Sequence, residues 1–419
     1  MARIIIYILL FTLPITKTFG SYILLPMDDV QRNHLKAYGI TYWSLEKDVE
    51  VKWLLNYRGG SFLMKYEQNL ENECVFRGVS YEIVADAQAS NILLEIGRDE
   101  INMDAVVMQR VPRIAVYSPP NKQPWDDAVT LVLTYAEIPY DLIYDQDVVD
   151  GVLTEYDWLH LHHEDFTGQY GKFYKNYQHM PWYREEVKTN ENIAQINGFL
   201  KVSELKLYVA QKIRSYIENG GFLFAMCAAT DTYDIALSAE HVDICESMYD
   251  GDPADKNIES KLDFNNTLAF ENFIIEKNPF EYEFSDIDAT TSRRISPETD
   301  FFTLFEFSAK WDPVPTMLTQ NHSQIIKGFM GQTTSFNKEK LKPEVLILGE
   351  NKSANEARYI HGELGKGFFT FYGGHDPEDY RHLVGDPPTN LNLYPTSPGY
   401  RLILNNILFP AAKKKKRKT

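Results

Sequence analysis

The chain has 419 residues and a net charge of −17, with 44% hydrophobic and 24% charged residues, 26 Tyr and 24 Phe. So much apolar and aromatic surface excludes a disordered chain. The acidity excludes general nucleic-acid binding, which draws its affinity from neutralising phosphates; much of the positive charge is gathered at Lys413, Lys414, Lys415, Lys416, Arg417 and Lys418.

In chain order, residues 1–20 read as a signal peptide. Arg3 precedes an apolar run from Ile4 to Leu13, Pro14 ends it, and small residues surround Gly20 and Ser21. The run is too short to span a bilayer, which needs ~20 residues, and no later segment is apolar enough. The expected location is therefore periplasmic or secreted. Residues 21–110 read as a small α+β domain, with a helix over 28–38, strands over 51–55, 61–64 and 79–85, and a helix over 87–96. From Val111 onward, short apolar runs at 113–117, 140–144 and 157–162 alternate with helical stretches, one of them capped by Asp126 or Asp127. Residues 168–191 are aromatic and irregular. Leu205, Val209, Ile213 and Ile217 recur at helical spacing before Gly220-Gly221, and Phe222-Leu223-Phe224-Ala225-Met226 follows as a buried strand.

A helix is expected over 231–239, then an acidic insertion over about 240–340 without a βαβ period. Strands over 345–348, 357–361 and 368–372 close the domain, with a last helix at 400–408 and a basic tail at 411–419. The alternation predicts an α/β fold: a flavodoxin-like, mostly parallel doubly wound sheet over 111–410.

Three places can carry chemistry. Cys227 follows the strand Phe222-Leu223-Phe224-Ala225-Met226 and precedes a helix. Ala225 and Ala229 leave room for a sharp turn, and the helix start favours thiolate. The second is Gly373-Gly374-His375-Asp376-Pro377-Glu378 at a strand end, where His375 can act as base and Asp376 or Glu378 can orient it. The third is His160-Leu161-His162-His163-Glu164-Asp165. On a strand, His160 and His162 face one way and His163 the other. His162, His163 and Glu164 are candidate substrate contacts, and a metal such as zinc could use one of these histidines, Glu164 or Asp165, and His375. Hydrogen-bonding roles fit the run as well, so no metal or other cofactor is assigned. Arg58, in the turn Tyr57-Arg58-Gly59-Gly60, is a further candidate for ligand contact. Of the three cysteines, Cys74 and Cys245 can form a disulfide and leave Cys227 free.

The strand, the elbow cysteine and the late His with Pro-Glu behind it resemble class I glutamine amidotransferases. Gly374-His375-Asp376-Pro377-Glu378 is closer to the trehalose-utilisation (ThuA-like) branch of that fold. The resemblance implies an amide hydrolase or amidotransferase-like enzyme with Cys227 as nucleophile and His375 as base. Its alternative is a non-catalytic ThuA-like module binding a carbohydrate or an envelope partner; in either reading the partner is a small-molecule or carbohydrate ligand rather than nucleic acid. The stretches Leu54-Leu55-Asn56-Tyr57-Arg58-Gly59-Gly60-Ser61-Phe62 and Trp158 through Phe166 resemble an exported bacterial family often labelled asparagine synthetase B. No synthetase chemistry is implied, since Ala2 follows Met1 and no Ser-Gly-Gly-x-Asp-Ser run exists.

Overall fold

The computed structural model of the chain describes residues 21–120 and 127–412. The expected signal peptide, Asp126 and the basic tail lie outside the described residues.

The N-terminal part is a five-stranded antiparallel sheet. Its strands are β1 (Tyr22–Leu25), β2 (Val51–Leu55), β3 (Ser61–Lys65), β4 (Glu82–Val84) and β5 (Asp104–Met108), in the order β4-β1-β3-β2-β5. The expected helix over 28–38 forms later, at His34–Glu46. Asn33 supplies the side-chain oxygen that accepts the Lys36 N–H, and residues before it lack that cap. This helix packs on the helix Ala128–Ala136 at Gly39. A Cβ on Gly39 would lie 1.8 Å from the Ala136 carbonyl oxygen, which is backbone and cannot swing aside. Gly39→Ala is expected to destabilise the fold by about 3 kcal/mol, the upper end for overpacking. Guanidinium unfolding checks this; an unchanged midpoint would show that the two helices do not approach so closely.

The second sheet is built from β6 (Ile114–Tyr117), β7 (Asp141–Ile143), β8 (Trp158–Leu161), β9 (Phe222–Met226), β10 (Phe301–Leu304), β11 (Ile325–Lys327), β12 (Phe336–Asn337), β13 (Leu346–Asn351), β14 (Glu356–Leu364) and β15 (Gly367–Tyr372). The order is β11-β10-β13-β14-β15-β9-β8-β6-β7, with β12 beside β14. The strands β15, β9, β8, β6 and β7 are parallel neighbours, whereas β14, β13, β10 and β11 join antiparallel.

The expectation of a flavodoxin-like, mostly parallel doubly wound sheet is therefore corrected. The ten-stranded sheet is mixed, and a separate antiparallel sheet stands before it. One cause is the turn at Gly365-Lys366, with Gly365 at φ +61°, because so short a connection can join only antiparallel strands. The other is that residues 240–340 are not set apart: they supply β10, β11 and β12 to the same sheet.

Every residue of β9 is buried, as expected of a central strand covered on both faces. Phe222, Phe224 and Met226 share a core with Trp158 and the helices Ala128–Ala136 and Pro398–Leu408. Leu223 and Ala225 face a second core built with Val202–Glu218 and Ala229–Ser238. The three cysteines are free buried thiols, so no Cys74–Cys245 disulfide forms. Cys74 belongs to the helix Gln68–Arg77, while the Cys245 thiol donates to the Thr167 carbonyl at 3.1 Å. Among the described residues no helix is long and apolar enough to cross a membrane.

Candidate metal centre

Strand alternation aims Trp158 and His160 at one face of β8, where both rings stack near Phe224, at 5.8 and 5.6 Å. His160 is fully engaged, with Nδ1 3.2 Å from the Phe224 carbonyl and Nε2 3.1 Å from Asp127 Oδ2. His162 Nδ1 lies 3.0 Å from the same oxygen. Asp127 meanwhile caps the helix Ala128–Ala136, its Oδ1 accepting the Thr130 N–H at 2.8 Å. One carboxylate thus starts a helix and orients two imidazoles. Burial pushes its pKa up, but His160 and His162 outweigh that and hold it well below the usual carboxylate range.

His375 arrives from the neighbouring side. Tyr372 of β15 is in register with Met226 of β9, so the chain beyond both strands emerges at one edge of the sheet. Gly373 and Gly374 are required there. A Cβ on Gly373 would meet the Thr334 carbonyl oxygen at 2.4 Å, and Gly374 adopts φ +102° against the Phe329 ring. The His375 N–H donates to the Met330 carbonyl at 3.0 Å. Its ring centroid lies 4.4 Å from His162, 6.1 Å from His163 and 4.6 Å from His382. His382 is fixed by Asp379, 3.0 Å from its Nδ1.

Nitrogen atoms of His162, His163 and His375 all lie within 4.8 Å of one another. Burial, with the neighbouring imidazoles, pushes the pKa values of His163 and His375 well below the usual histidine range, so both rings are neutral at pH 7. A neutral imidazole is the form that ligates a metal. His163 corrects the expectation that it faces away from His162. The strand ends at Leu161, so alternation no longer governs it.

The remaining candidates take other places. Glu164 is buried, its Oε2 accepts the His162 N–H at 2.8 Å, and burial raises its pKa to about 7. Asp165 folds its own loop, accepting from the Thr167 and Gly171 N–H groups. Arg58 stands at the β2–β3 turn and is paired with Asp28 at 2.6 Å and Glu82 at 2.8 Å. Asp376 Oδ1 accepts the Glu378 N–H at 2.8 Å, and the Glu378 carboxyl turns to Ser397. Asp127 and Asp379 bring carboxylates to the cluster, on His162 and His382.

Cys227 stands at the end of β9 with φ +50°, a conformation rare for a residue with a side chain. Its sulfur accepts the Gln332 N–H at 3.2 Å, the Thr333 and Ala228 N–H groups also favour a thiolate there, and the Asp231 charge disfavours it. The helix start does not deliver a thiolate. Burial outweighs the N–H donors and pushes the thiol up to about 11. Burial also raises Cys74 to about 12 and Cys245 well above the usual thiol range. The native protein is therefore expected to show no thiol reacting with a disulfide reagent within minutes at pH 7.5, and three after guanidinium unfolding. Rapid labelling of Cys227 with an ionisation midpoint below 8 would contradict this.

Sequence reasoning noticed Asp127 only as a helix cap and missed Asp379 and His382 altogether. Asp127 precedes His160 by 33 residues, and no local pattern joins them.

No family model matches the chain, and no curated protein matches it. Among solved structures it is similar to cytoplasmic protein STM3548 from Salmonella typhimurium, at 13% identity and TM-score 0.35, over 72% of this chain and 100% of that one. It is also similar to cytoplasmic protein STM1381 from Salmonella typhimurium LT2, at 12% identity and TM-score 0.36, over the same shares. A third is the exo-β-1,4-mannosidase Op5Man5 from Opitutaceae bacterium strain TAV5, at 10% and 0.27, over 62% of this chain and 31% of that one. Likenesses of this size carry no argument about activity.

Proposed function

We propose that the chain is a metal-dependent hydrolase whose centre is His162, His163 and His375. The observation that carries this reading is the convergence of three imidazoles within 4.8 Å, at the carboxyl ends of parallel strands, with the carboxylate of Asp127 on the back of His162. Metal-ligating histidines use such a carboxylate to fix their tautomer and raise their basicity. Three nitrogens leave a fourth position for water or substrate, as hydrolytic zinc sites do. A divalent cation there supplies Lewis-acid and water-activating chemistry. The chain's own part is to orient His162 through Asp127, to seat His375 through the Met330 carbonyl, and to stack His382 behind His375. An amide is the substrate class, a choice that rests on the resemblance to amidotransferase-like proteins.

A second reading keeps Cys227 as the nucleophile of a thiol hydrolase. It is favoured by the φ of +50° at the strand–helix turn, since strained backbone collects at working residues. Turnover of a panel of amides and activated esters by zinc-loaded protein separates the two. Activity lost in His163→Ala and kept in Cys227→Ser supports the metal centre; the reverse pattern supports the thiol. Zinc binding without turnover of any substrate would leave a binding module.

A further inference from the structure

At the opposite edge of the second sheet, where β9 and β15 begin, lies a cleft of about 910 Å³. Its floor is aromatic: Phe222 and Phe368 are stacked at 5.5 Å, 6° from parallel, and Phe409 meets Phe222 edge-on at 4.5 Å. Trp311 stands on its wall, 69% exposed. Asp312, Glu344 and Glu363 also line it, against one cation among the described residues, Arg110.

We infer that this cleft binds an extended lysine- and arginine-bearing peptide segment. Long basic side chains lay their methylene stems on apolar surface and keep their charged ends at the rim. Here the stems meet the half-buried Phe368 and the exposed Trp311, whose indole also offers a cation–π face, and the ammonium groups meet three carboxylates. The volume suits several residues of such a segment. The occupant is a segment of a partner protein; residues 411–419 of this chain, with Lys-Lys-Lys-Lys-Arg-Lys at 413–418, have the same chemistry and serve as its probe. The cleft is distinct from the histidine centre, so this inference does not depend on the proposed hydrolase.

The test uses a fluorescein-labelled nonapeptide of the sequence of residues 411–419, followed by anisotropy. It is added to the full chain and to a chain ending at Ala412, which keeps every described residue. Saturable binding is expected, at least ten-fold weaker in Trp311→Ala and in the triple variant Asp312→Asn, Glu344→Gln, Glu363→Gln, and weakened by 0.5 M KCl. Trp311→Ala keeps the net charge, so it separates the cleft from general attraction to an acidic protein. Two results would overturn the inference: no saturable binding to either chain, or binding unchanged in Trp311→Ala. Displacement of the peptide by cellohexaose at equal concentration would also overturn it, by showing that the cleft prefers a neutral sugar.

Discussion

Replacing His375 with alanine is expected to weaken zinc binding by more than about 100-fold. Removing only an outer partner of a metal-bound histidine typically costs about 10–100-fold, and a ligand counts for more. Asp127→Asn is the companion variant. An asparagine oxygen still caps the helix Ala128–Ala136, as Asp127 Oδ1 does for the Thr130 N–H at 2.8 Å, but the charge behind His162 is gone. The expected loss there is about 10–100-fold, and the unfolding midpoint falls as well, because the carboxylate that His160 and His162 hold ionised also stabilises the fold. Competition with a calibrated chelator at pH 7.5 measures both. The pH dependence follows from the same geometry. His163 and His375 are already neutral, because burial lowers their folded pKa values, so protons compete poorly for them. From pH 8 down to 6, zinc affinity should therefore fall no more steeply than competition by a single proton allows, about ten-fold per pH unit. A fall of two or three protons' steepness would indicate that His163 and His375 are ordinary, solvated histidines.

The second large effect is on stability, at Asp300. This carboxylate is 1% exposed and accepts from Arg293 Nη2 at 2.7 Å and from the Tyr380 hydroxyl at 3.3 Å, with Arg358 Nη1 at 3.9 Å. Arg293 in turn pairs with Glu356 at 2.8 Å. Asp300→Ala leaves two buried guanidinium groups short of their counter-charge, which typically costs about 3–5 kcal/mol. Chemical unfolding checks the loss. A local consequence follows, because Arg358 donates to the Phe329 carbonyl and its own carbonyl accepts the Gly373 N–H at 2.8 Å. Those contacts hold the segment that receives the His375 N–H, so zinc affinity should fall too, by less than in His375→Ala.

Much of the parallel half of the second sheet could be read before its structure was known. The strand β9 is an unbroken apolar run, and the helix Val202–Glu218 shows its period plainly, because a strand covered on two faces and a helix covered on one leave opposite signatures. The segment from Gly373 was expected at the end of a strand, and it follows β15 directly. In the antiparallel half, β13 and β14 were expected as strands over 345–348 and 357–361, but their direction and the strands beyond them were hidden. Strands β10 to β12 are only 2–4 residues long and sit among acidic loops, too short to display a period. The site was half legible. His162, His163 and His375 stood out as residue types at strand ends, but their orienting acid was sought next to His375 in sequence. Asp376 accepts the Glu378 N–H in the turn that follows, and the acid beside His162 came from Asp127 across the sheet edge. Arg58 misled for a related reason: an arginine beside two glycines reads as an anion site until Asp28 and Glu82 are seen to neutralise it.

The claim that three histidines form one metal centre is tested most directly by X-ray absorption at the zinc edge, on protein loaded with one equivalent of zinc and dialysed. The expected result is one retained zinc per chain with three imidazole nitrogens at about 2.0–2.1 Å, falling to none retained in His163→Ala. Wild-type protein that retains no zinc, or zinc in an all-oxygen shell unchanged by His163→Ala, would contradict it.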